Sequence, residues 1–364
     1  MLNDLLAQRN LPDLLTFADG SKVRTAQDWL RRREEIKTIL CREEYGFLPP
    51  PPRQLTAEIL ETDARFCAGN VTWTKVALMA ELENGAAFTF PIQCAIPKVN
   101  QPCPAFVHIN FRPWVPDKYM PTEELCDGGF AVFSIFYEDV ASDDGDFTGG
   151  LAGALGGENA RSAGTDTPGK IAMWAWAAMR VMDYIQGLDS VDKANIAVVG
   201  HSRLGKTALL AGGLDERFAF TISNDSGCSG AAISRGKQGE TIAAICSRFP
   251  YWFCENYQKY ADREDDQPFD QHYLLALTAP RGLYVASAET DTWADPGSEF
   301  LTCCAASEVY ALLGKTGLMT PDRLPEVGEY MHEGGIGYHI RPGSHYFSRY
   351  DWNRYMEYIM RHRN

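Results

Sequence analysis

Short apolar runs alternate with longer amphipathic segments along most of this chain. Runs rich in β-branched and aromatic residues predict strands, and apolar residues at helical spacing predict helices. The predicted strands are 71–78, 87–97, 103–110, 129–135, 196–199, 219–225, 283–288 and 337–340, and the predicted helices are 25–36, 169–185, 207–214, 299–313 and 350–363. This alternation predicts an α/β protein in which a mostly parallel central sheet carries helices on both faces, a three-layer sandwich.

The N-terminal segment differs from the rest. Residues 1–52 have the pattern of a helical arm, and the four prolines 49–52 end it as a stiff connector. We expect this arm and the α/β domain, 53–364, to form one compact unit. A stretch rich in Gly, Ala, Ser and Asp, 141–170, is predicted to be a structured surface loop near the site.

Composition and charge exclude several classes of partner. The net charge of −14 argues against binding to nucleic acid or to anionic membranes, which need clustered Lys and Arg. No apolar run approaches the roughly 18 residues of a membrane span. Met1–Asn10 lacks a basic n-region and a long apolar region, which indicates a cytoplasmic protein, although a chain trimmed of its signal peptide would look the same.

The cysteines do not point to metal chemistry. Ten are scattered along the chain and none belongs to a C-x-x-C pair, so zinc and thioredoxin-like sites find no support. We predict that the protein uses neither a metal nor a cofactor.

The most informative segment follows the strand 196–199. Gly200-His201-Ser202-Arg203-Leu204-Gly205-Lys206 places a serine on a sharp turn between a strand and a helix. An α/β-hydrolase presents its nucleophile in this way, so we predict that fold with Ser202 as the nucleophile. The usual G-x-S-x-G pattern is not met, because Leu204 occupies the last glycine position and Gly205 comes one residue later.

A serine nucleophile needs a base, and the base needs an acid to fix its tautomer. His345 is the best candidate base, since it lies late in the chain, in a loop after a strand. His201 adjoins Ser202, but its side chain is predicted to point away from that of the serine. The remaining histidines are predicted to be structural or on the surface: His108, His272, His332, His339 and His362. Three acids stay open: Asp291 after strand 283–288 is favoured, Asp225 is the alternative, and Asp295 precedes a proline and has the pattern of a turn residue.

Two sources of oxyanion stabilisation are expected. One is the backbone N–H of Arg203, and the other is a donor from the loop Asn110–Arg112. Arg203 and Lys206 also place cations in the first helical turn, where the helix dipole disfavours them. We therefore expect Arg203 and Lys206 to have a role in the active site.

These residues resemble the glucuronoyl esterases, carbohydrate esterase family 15. The family's nucleophile turn, G-x-S-R-x-G-K, matches residues 200–206, and the likeness extends to Asp225–Gly230 and Gly343–His345 over roughly 25–360. The resemblance implies hydrolysis of esters of (4-O-methyl-)glucuronic acid, as in the lignin–carbohydrate linkages of plant biomass. It also implies that Arg203 supports the oxyanion and that Lys206, Glu240 and Trp293 bind the sugar. Similarity to bacterial members favours Asp291 as the acid.

Alternative functions stay open on the sequence alone. An acetyl-xylan-type deacetylase would use the same triad, and a noncatalytic carbohydrate-binding protein could keep the fold; a peptidase is a weaker option. The leading hypothesis is a serine carboxylesterase that acts on a small-molecule or oligosaccharide uronate ester.

Overall fold

One large mixed sheet forms the centre of the molecule. The computed structural model describes residues 1–363, and in that part of the chain the sheet has ten strands in the order β1-β2-β3-β5-β4-β6-β7-β8-β10-β9. Their bounds are β1 Gln54–Phe66, β2 Val71–Glu81, β3 Ala87–Pro97, β4 Cys103–Asn110, β5 Ala131–Phe136, β6 Val191–His201, β7 Phe220–Asn224, β8 Gly282–Ala288, β9 Tyr330–Met331 and β10 Ile336–Arg341. Six neighbouring strands of the sheet, β5-β4-β6-β7-β8-β10, pair in parallel.

Helices cover both faces of the sheet. The α-helices are α1 Leu2–Ala7, α2 Ala26–Leu40, α3 Thr122–Asp127, α4 Gly150–Ala154, α5 Gly157–Arg161, α6 Lys170–Ile185, α7 Arg203–Leu214, α8 Ile242–Arg248, α9 Gln271–Ala276, α10 Pro296–Leu312 and α11 Arg349–His362. Within residues 1–363 none of them combines the length and the apolar content that a membrane span requires.

Alternation along the strands produces two cores. In β6, Val198 packs into the larger core cluster and its neighbours Ala197 and Val199 into the smaller one. Successive side chains of a strand point to opposite faces, so continuous apolar runs become strands that are buried on both sides. The smaller core is closed by α11, whose Trp352 and Tyr355 are fully buried.

The N-terminal arm packs against the larger core. Thr25 caps α2 through a reciprocal hydrogen bond with Asp28, and Trp29 and Ile36 of this helix are buried in the larger cluster. Arg33 of α2 donates to the backbone carbonyl of Gly213 at 2.8 Å. The arm thus shares its hydrophobic core with the rest of the described chain.

The predicted fold class is confirmed, with two differences. The first three strands form an antiparallel meander, because β1 and β2 are joined by a short connection and β2 and β3 by a tight turn. No helix or strand is predicted between residues 225 and 283, yet this segment contains α8, α9 and several short 3₁₀ turns. Such short elements carry too few residues for a periodic signal.

Candidate active site

Ser202 lies on a strained turn between β6 and α7. Its backbone angles, φ +57° and ψ −128°, fall outside the regions that side chains favour. A Cβ atom on Gly200 would collide with the carbonyl of Leu204, and one on Gly205 would lie 3.0 Å from Ser223 Oγ. These contacts explain why the glycine comes one residue later than in the usual pattern. Position 205 lies too close to β7 for a large side chain, whereas the side chain of Leu204 packs in the larger core.

His345 and Asp291 meet beside this turn. His345 Nδ1 lies 2.7 Å from Asp291 Oδ2, and the imidazole is 44% exposed while the carboxylate is buried. Burial by itself raises the pKa of Asp291. The hydrogen bonds from His345 and from the backbone N–H of Ala294 outweigh that effect and hold the pKa below its usual value.

Asp225, the alternative acid, faces the same histidine from the end of β7. One ligand-type atom each of Asp225, Asp291 and His345 lies within 4.8 Å of the other two. Asp225 is buried and its Oδ2 accepts from Arg341 at 3.2 Å, while its Oδ1 has no partner within residues 1–363. Burial, reinforced by the nearby charge of Glu299, raises the pKa of Asp225 well above its usual value.

Asp295 has a structural task. Its side chain accepts hydrogen bonds from the backbone N–H and the hydroxyl of Ser298, which caps the N-terminus of α10. This is the turn role that its position before a proline predicted.

Arg203 is held by a carboxylate that sequence reasoning missed. Its guanidinium is ion-paired with Asp143, from the loop after β5, and lies 4.6 Å from the centre of the Trp252 ring. Asp143 also accepts from the Trp252 indole at 2.7 Å and from the Tyr137 hydroxyl at 3.0 Å. The predicted surface loop 141–170 thus reaches the site and fixes the direction of this side chain.

The oxyanion donors predicted for this site divide into two groups. Arg203 is the first residue of α7, so its backbone N–H has no partner inside the helix, and its buried Nε has no hydrogen-bond partner within residues 1–363. In the other loop, the Asn110 amide donates to Asp117 at 2.7 Å and the Arg112 N–H donates to Asn110 at 3.2 Å. Because these two donors are already engaged, neither is free to stabilise an oxyanion.

The predicted sugar-binding residues line one polar recess. Lys206 is 4% exposed, and its ammonium donates to the carbonyl of Ser226 and lies 3.9 Å from Glu240 Oε2. Glu240 is buried rather than solvated, and its backbone N–H donates to the carbonyl of Trp293 at 3.0 Å. The Trp293 ring is 48% exposed, so it does not pack in the core.

These side chains and the triad enclose one cavity. It has a volume of about 310 Å³, and Ser202, Arg203, Lys206, Asp225, Glu240, Asp291, Trp293 and His345 all line it. Three further lining residues were not expected from the sequence: Arg248, Phe249 and Trp252. The aromatic pair among them is stacked, with ring centres 3.9 Å apart. In the sequence they fall within residues 248–253, a stretch without a periodic pattern that would predict a place in the site.

Most other histidines are buried and engaged. His339 bonds to Asp351 at 2.8 Å and to the Tyr284 hydroxyl at 3.1 Å, which confirms a structural position inside β10. His201 is different, because its ring centre lies 4.5 Å from that of His345, with the two ring planes tilted by 38°, while its Nδ1 bonds to Asn224 at 2.6 Å. Burial and the nearby His345 lower the pKa of His201 to about 3, so this ring is neutral. His362 is half-buried and bonds to the carbonyl of His332.

Together, a strained serine at a strand–helix turn, a histidine–aspartate pair beside it and the surrounding three-layer fold define a serine hydrolase of the α/β-hydrolase class. The family model of fungal glucuronyl esterases matches residues 80–314. The chain belongs to the glucuronoyl esterase family, carbohydrate esterase family 15, and is a carboxylic ester hydrolase. The predicted family and enzyme class are thereby confirmed.

Individual relatives agree with this placement. A carbohydrate esterase from an unknown prokaryotic organism is 35% identical over 97% of this chain and 89% of its own length. A 4-O-methyl-glucuronoyl methylesterase of Schizophyllum commune is 31% identical over 84% of this chain and 74% of its own length. The solved glucuronoyl esterase from Solibacter usitatus superposes with a TM-score of 0.88 at 35% identity, covering 96% of this chain and 97% of that one.

Proposed function

We propose that this protein hydrolyses esters in which the carboxyl group of 4-O-methyl-glucuronic acid is joined to an alcohol. The similarity to methylesterases of this uronate, such as the Schizophyllum commune enzyme, supports the substrate class. The observation that carries the mechanism is the 2.7 Å hydrogen bond between His345 and Asp291 at the mouth of the cavity that Ser202 lines.

In the acylation step Ser202 Oγ attacks the ester carbonyl and its proton passes to His345. The His345 Nδ1–H donates to Asp291, which leaves Nε2 as the unprotonated nitrogen that accepts the serine proton. Asp291 stays ionised because its pKa is lowered, so it can stabilise the imidazolium that forms. The imidazolium then protonates the departing alkoxide, the alcohol leaves, and the uronyl group is bound to Ser202.

Arg203 stabilises the negative charge on the carbonyl oxygen. Its backbone N–H and its unpartnered Nε–H are the donors, and the ion pair with Asp143 and the Trp252 ring pre-organise the guanidinium. In the second step His345 takes a proton from water, the hydroxide attacks the acyl-enzyme carbonyl, and Ser202 recovers its proton from His345 as the free uronate is released.

The polar recess binds the sugar. A carboxylate such as Glu240 and an ammonium such as Lys206, lying 3.9 Å apart, together accept from and donate to neighbouring hydroxyl groups. The exposed Trp293 ring offers a flat apolar face to a pyranose ring.

The test is the release of methanol from methyl 4-O-methyl-glucuronate compared with the release of acetate from acetylated xylan. We expect hydrolysis of the methyl ester, and Ser202→Ala should lower kcat/KM by at least about 10⁴-fold while circular dichroism and melting temperature stay close to wild type. Faster release of acetate would favour the deacetylase instead. Activity of Ser202→Ala near wild type would overturn the nucleophile.

A further inference from the structure

Arg341 is the last residue of β10 and lies shortly before His345 in the chain. Its side chain is buried, and its Nη1 donates to the carbonyls of Pro342 at 3.2 Å and of Ser344 at 3.1 Å. Its Nη2 donates to the carbonyl of Tyr346. These three carbonyls stand before and after His345, so one guanidinium holds the loop that carries the catalytic base.

Two buried carboxylates complete the acceptors of this guanidinium. The Nε of Arg341 donates to the two oxygens of Asp351 at 3.0 and 3.1 Å, and its Nη2 donates to Asp225 Oδ2 at 3.2 Å. Asp351 also accepts from the backbone N–H and the hydroxyl of Ser348, both at 2.7 Å, at the start of α11. Every N–H of the guanidinium therefore has an acceptor, and Arg341 is anchored to the helix that closes the smaller core.

The arrangement suits arginine better than lysine. A guanidinium offers its N–H donors in one plane and in fixed directions, whereas the ammonium of lysine offers its donors from a single atom. A lysine at position 341 could pair with the two carboxylates, but it could not also reach the carbonyls on both sides of His345.

The same loop is also joined to the segment that carries the catalytic acid. The carbonyl of Gly343 accepts from the backbone N–H of Thr290 at 3.0 Å and from the Thr290 hydroxyl at 2.8 Å. Thr290 directly precedes Asp291. The loop of the base is therefore fixed by Arg341 and by the segment of the acid together.

His345 depends on this support because few contacts hold its ring. The imidazole is 44% exposed, and within residues 1–363 its side chain is hydrogen-bonded to Asp291 alone. A side chain without close packing on all sides takes its position from its backbone. A displacement of about 1 Å in a catalytic group can lower the rate by about 10²-fold, so the conformation of this loop matters for catalysis.

We propose that Arg341 is a positioning residue of this hydrolase: its guanidinium fixes the loop 342–346 in the conformation that places His345 beside Asp291, in the cavity that Ser202 lines. Arg341 does not line that cavity itself and acts through the backbone on both sides of the base. This inference rests on the proposed function, since it takes Ser202, His345 and Asp291 as the triad.

The test is Arg341→Lys, which keeps a positive charge between Asp225 and Asp351 but removes the planar set of donors. For hydrolysis of methyl glucuronate, kcat should fall by about 10- to 100-fold, because His345 is no longer held in place. KM should change by less than about 3-fold, because the residues of the sugar recess are untouched. The melting temperature is measured for each variant, and kcat is determined well below it.

The matched control is Arg33→Lys. Arg33 is also buried, donates to the carbonyls of Gly213 and Leu277 and pairs with Glu216, and none of these residues lines the cavity. This variant should lose stability but keep kcat, and a kcat in Arg341→Lys equal to that of the control would overturn the positioning role.

A second variant covers the case in which Arg341→Lys does not fold. The double variant Arg341→Gln/Asp225→Asn removes both charges of that ion pair and leaves Asp351 bonded to His339 and Ser348. Its kcat should lie at least about 10-fold below that of Asp225→Asn alone, and equal values would overturn the inference.

A spectroscopic measurement separates this inference from the proposed substrate. The His345 Nδ1–H that donates to Asp291 should give a low-field proton NMR resonance, identified by its loss in Asp291→Asn. Arg341→Lys should weaken or remove this resonance, and Arg33→Lys should retain it. A resonance of wild-type strength in Arg341→Lys would overturn the positioning role alone, whereas a wild type that hydrolysed no glucuronate ester would overturn the proposed substrate.

Discussion

The segments that follow β7 and β8 present an aspartate each to the same histidine, in opposite electrostatic settings. Asp291, after β8, is hydrogen-bonded to His345 and has a lowered pKa. Asp225, after β7, is buried beside Glu299 and Arg341 and has a raised pKa. Parallel strands end at the same edge of a sheet, so either position could supply the acid of the triad.

Neighbouring charges separate the two roles. Glu299 accepts from the Gly227 N–H at 2.8 Å and from the Ser287 hydroxyl at 2.5 Å, which places a second buried carboxyl close to Asp225. Two buried carboxyl groups side by side do not ionise readily, whereas Asp291 has a partner that gains from its charge. The position of an aspartate at the end of a strand is therefore not enough to identify it as the acid that hydrogen-bonds to the catalytic histidine.

The largest expected effect comes from removing the charge of Asp291. Asp291→Asn should lower kcat/KM by about 10³- to 10⁴-fold, because an amide no longer fixes the tautomer of His345 or stabilises its cation. The measurement is steady-state hydrolysis of a glucuronate ester, with the melting temperature as a check on folding.

Asp225→Asn is the matched comparison, and it should lower kcat/KM by less than about 10-fold. An asparagine at 225 still offers an oxygen to Arg341 and leaves the contact between His345 and Asp291 intact. A larger loss in Asp225→Asn than in Asp291→Asn would reverse the assignment of the acid.

A smaller effect is expected on stability. Burial raises the pKa of Glu299 from 4.5 to about 7. A carboxyl that binds its proton more tightly in the folded chain stabilises that state at low pH, and this contribution is lost as the pH rises from about 4.5 to about 7. The free energy of unfolding should therefore fall by about 3 kcal/mol across this range on account of Glu299.

Glu299→Gln removes that dependence. The free energy of unfolding of the variant and of wild type is measured with urea at pH 4 and at pH 8. Relative to wild type, the variant should be about 3 kcal/mol more stable at pH 8 than it is at pH 4. Glu289→Gln, at the exposed end of β8, is the control and should follow the wild-type curve. Parallel curves for Glu299→Gln and wild type would mean that folding does not raise the pKa of Glu299.

The elements that carry a periodic pattern were predictable, and so were the residues that follow them. Ser202 and His345 were predicted from strand ends and motif positions, and the sugar-binding residues Lys206, Glu240 and Trp293 from the family resemblance; the structure gathers all five around one cavity. Their proximity was expected because parallel strands direct the loops that follow them to one edge. The sequence could rank Asp291 above Asp225 but could not decide between them. The decision depends on the charge of Glu299 near Asp225, and the sequence predicted only that Glu299 lies in a helix.

Residues that act through another side chain were missed for a physical reason. Asp143 lies in a glycine-rich loop without periodicity, and Trp252 in a short 3₁₀ turn, so neither position predicts a contact. The engagement of the Asn110 amide by Asp117 is likewise a tertiary contact between residues of one loop. Such contacts arise from the folded loop conformation, which local propensity does not determine.

An effect far smaller than that of Asp291→Asn is expected at a third carboxylate, Asp143, which pairs with a cation instead of an imidazole. Asp143→Asn keeps an oxygen for the Trp252 indole but removes the charge that pairs with Arg203. The guanidinium then loses its fixed direction toward the oxyanion, so kcat should fall by about 10-fold with a smaller change in KM, less than the loss of a whole oxyanion donor. Asp144→Asn is the control, because Asp144 is exposed and its carboxylate accepts from Ser142 and the Asp146 N–H, not from Arg203. A variant at 143 that lost stability but kept kcat would show that Asp143 only supports the loop, and the arrangement of Arg203 would then rest on its aromatic neighbours.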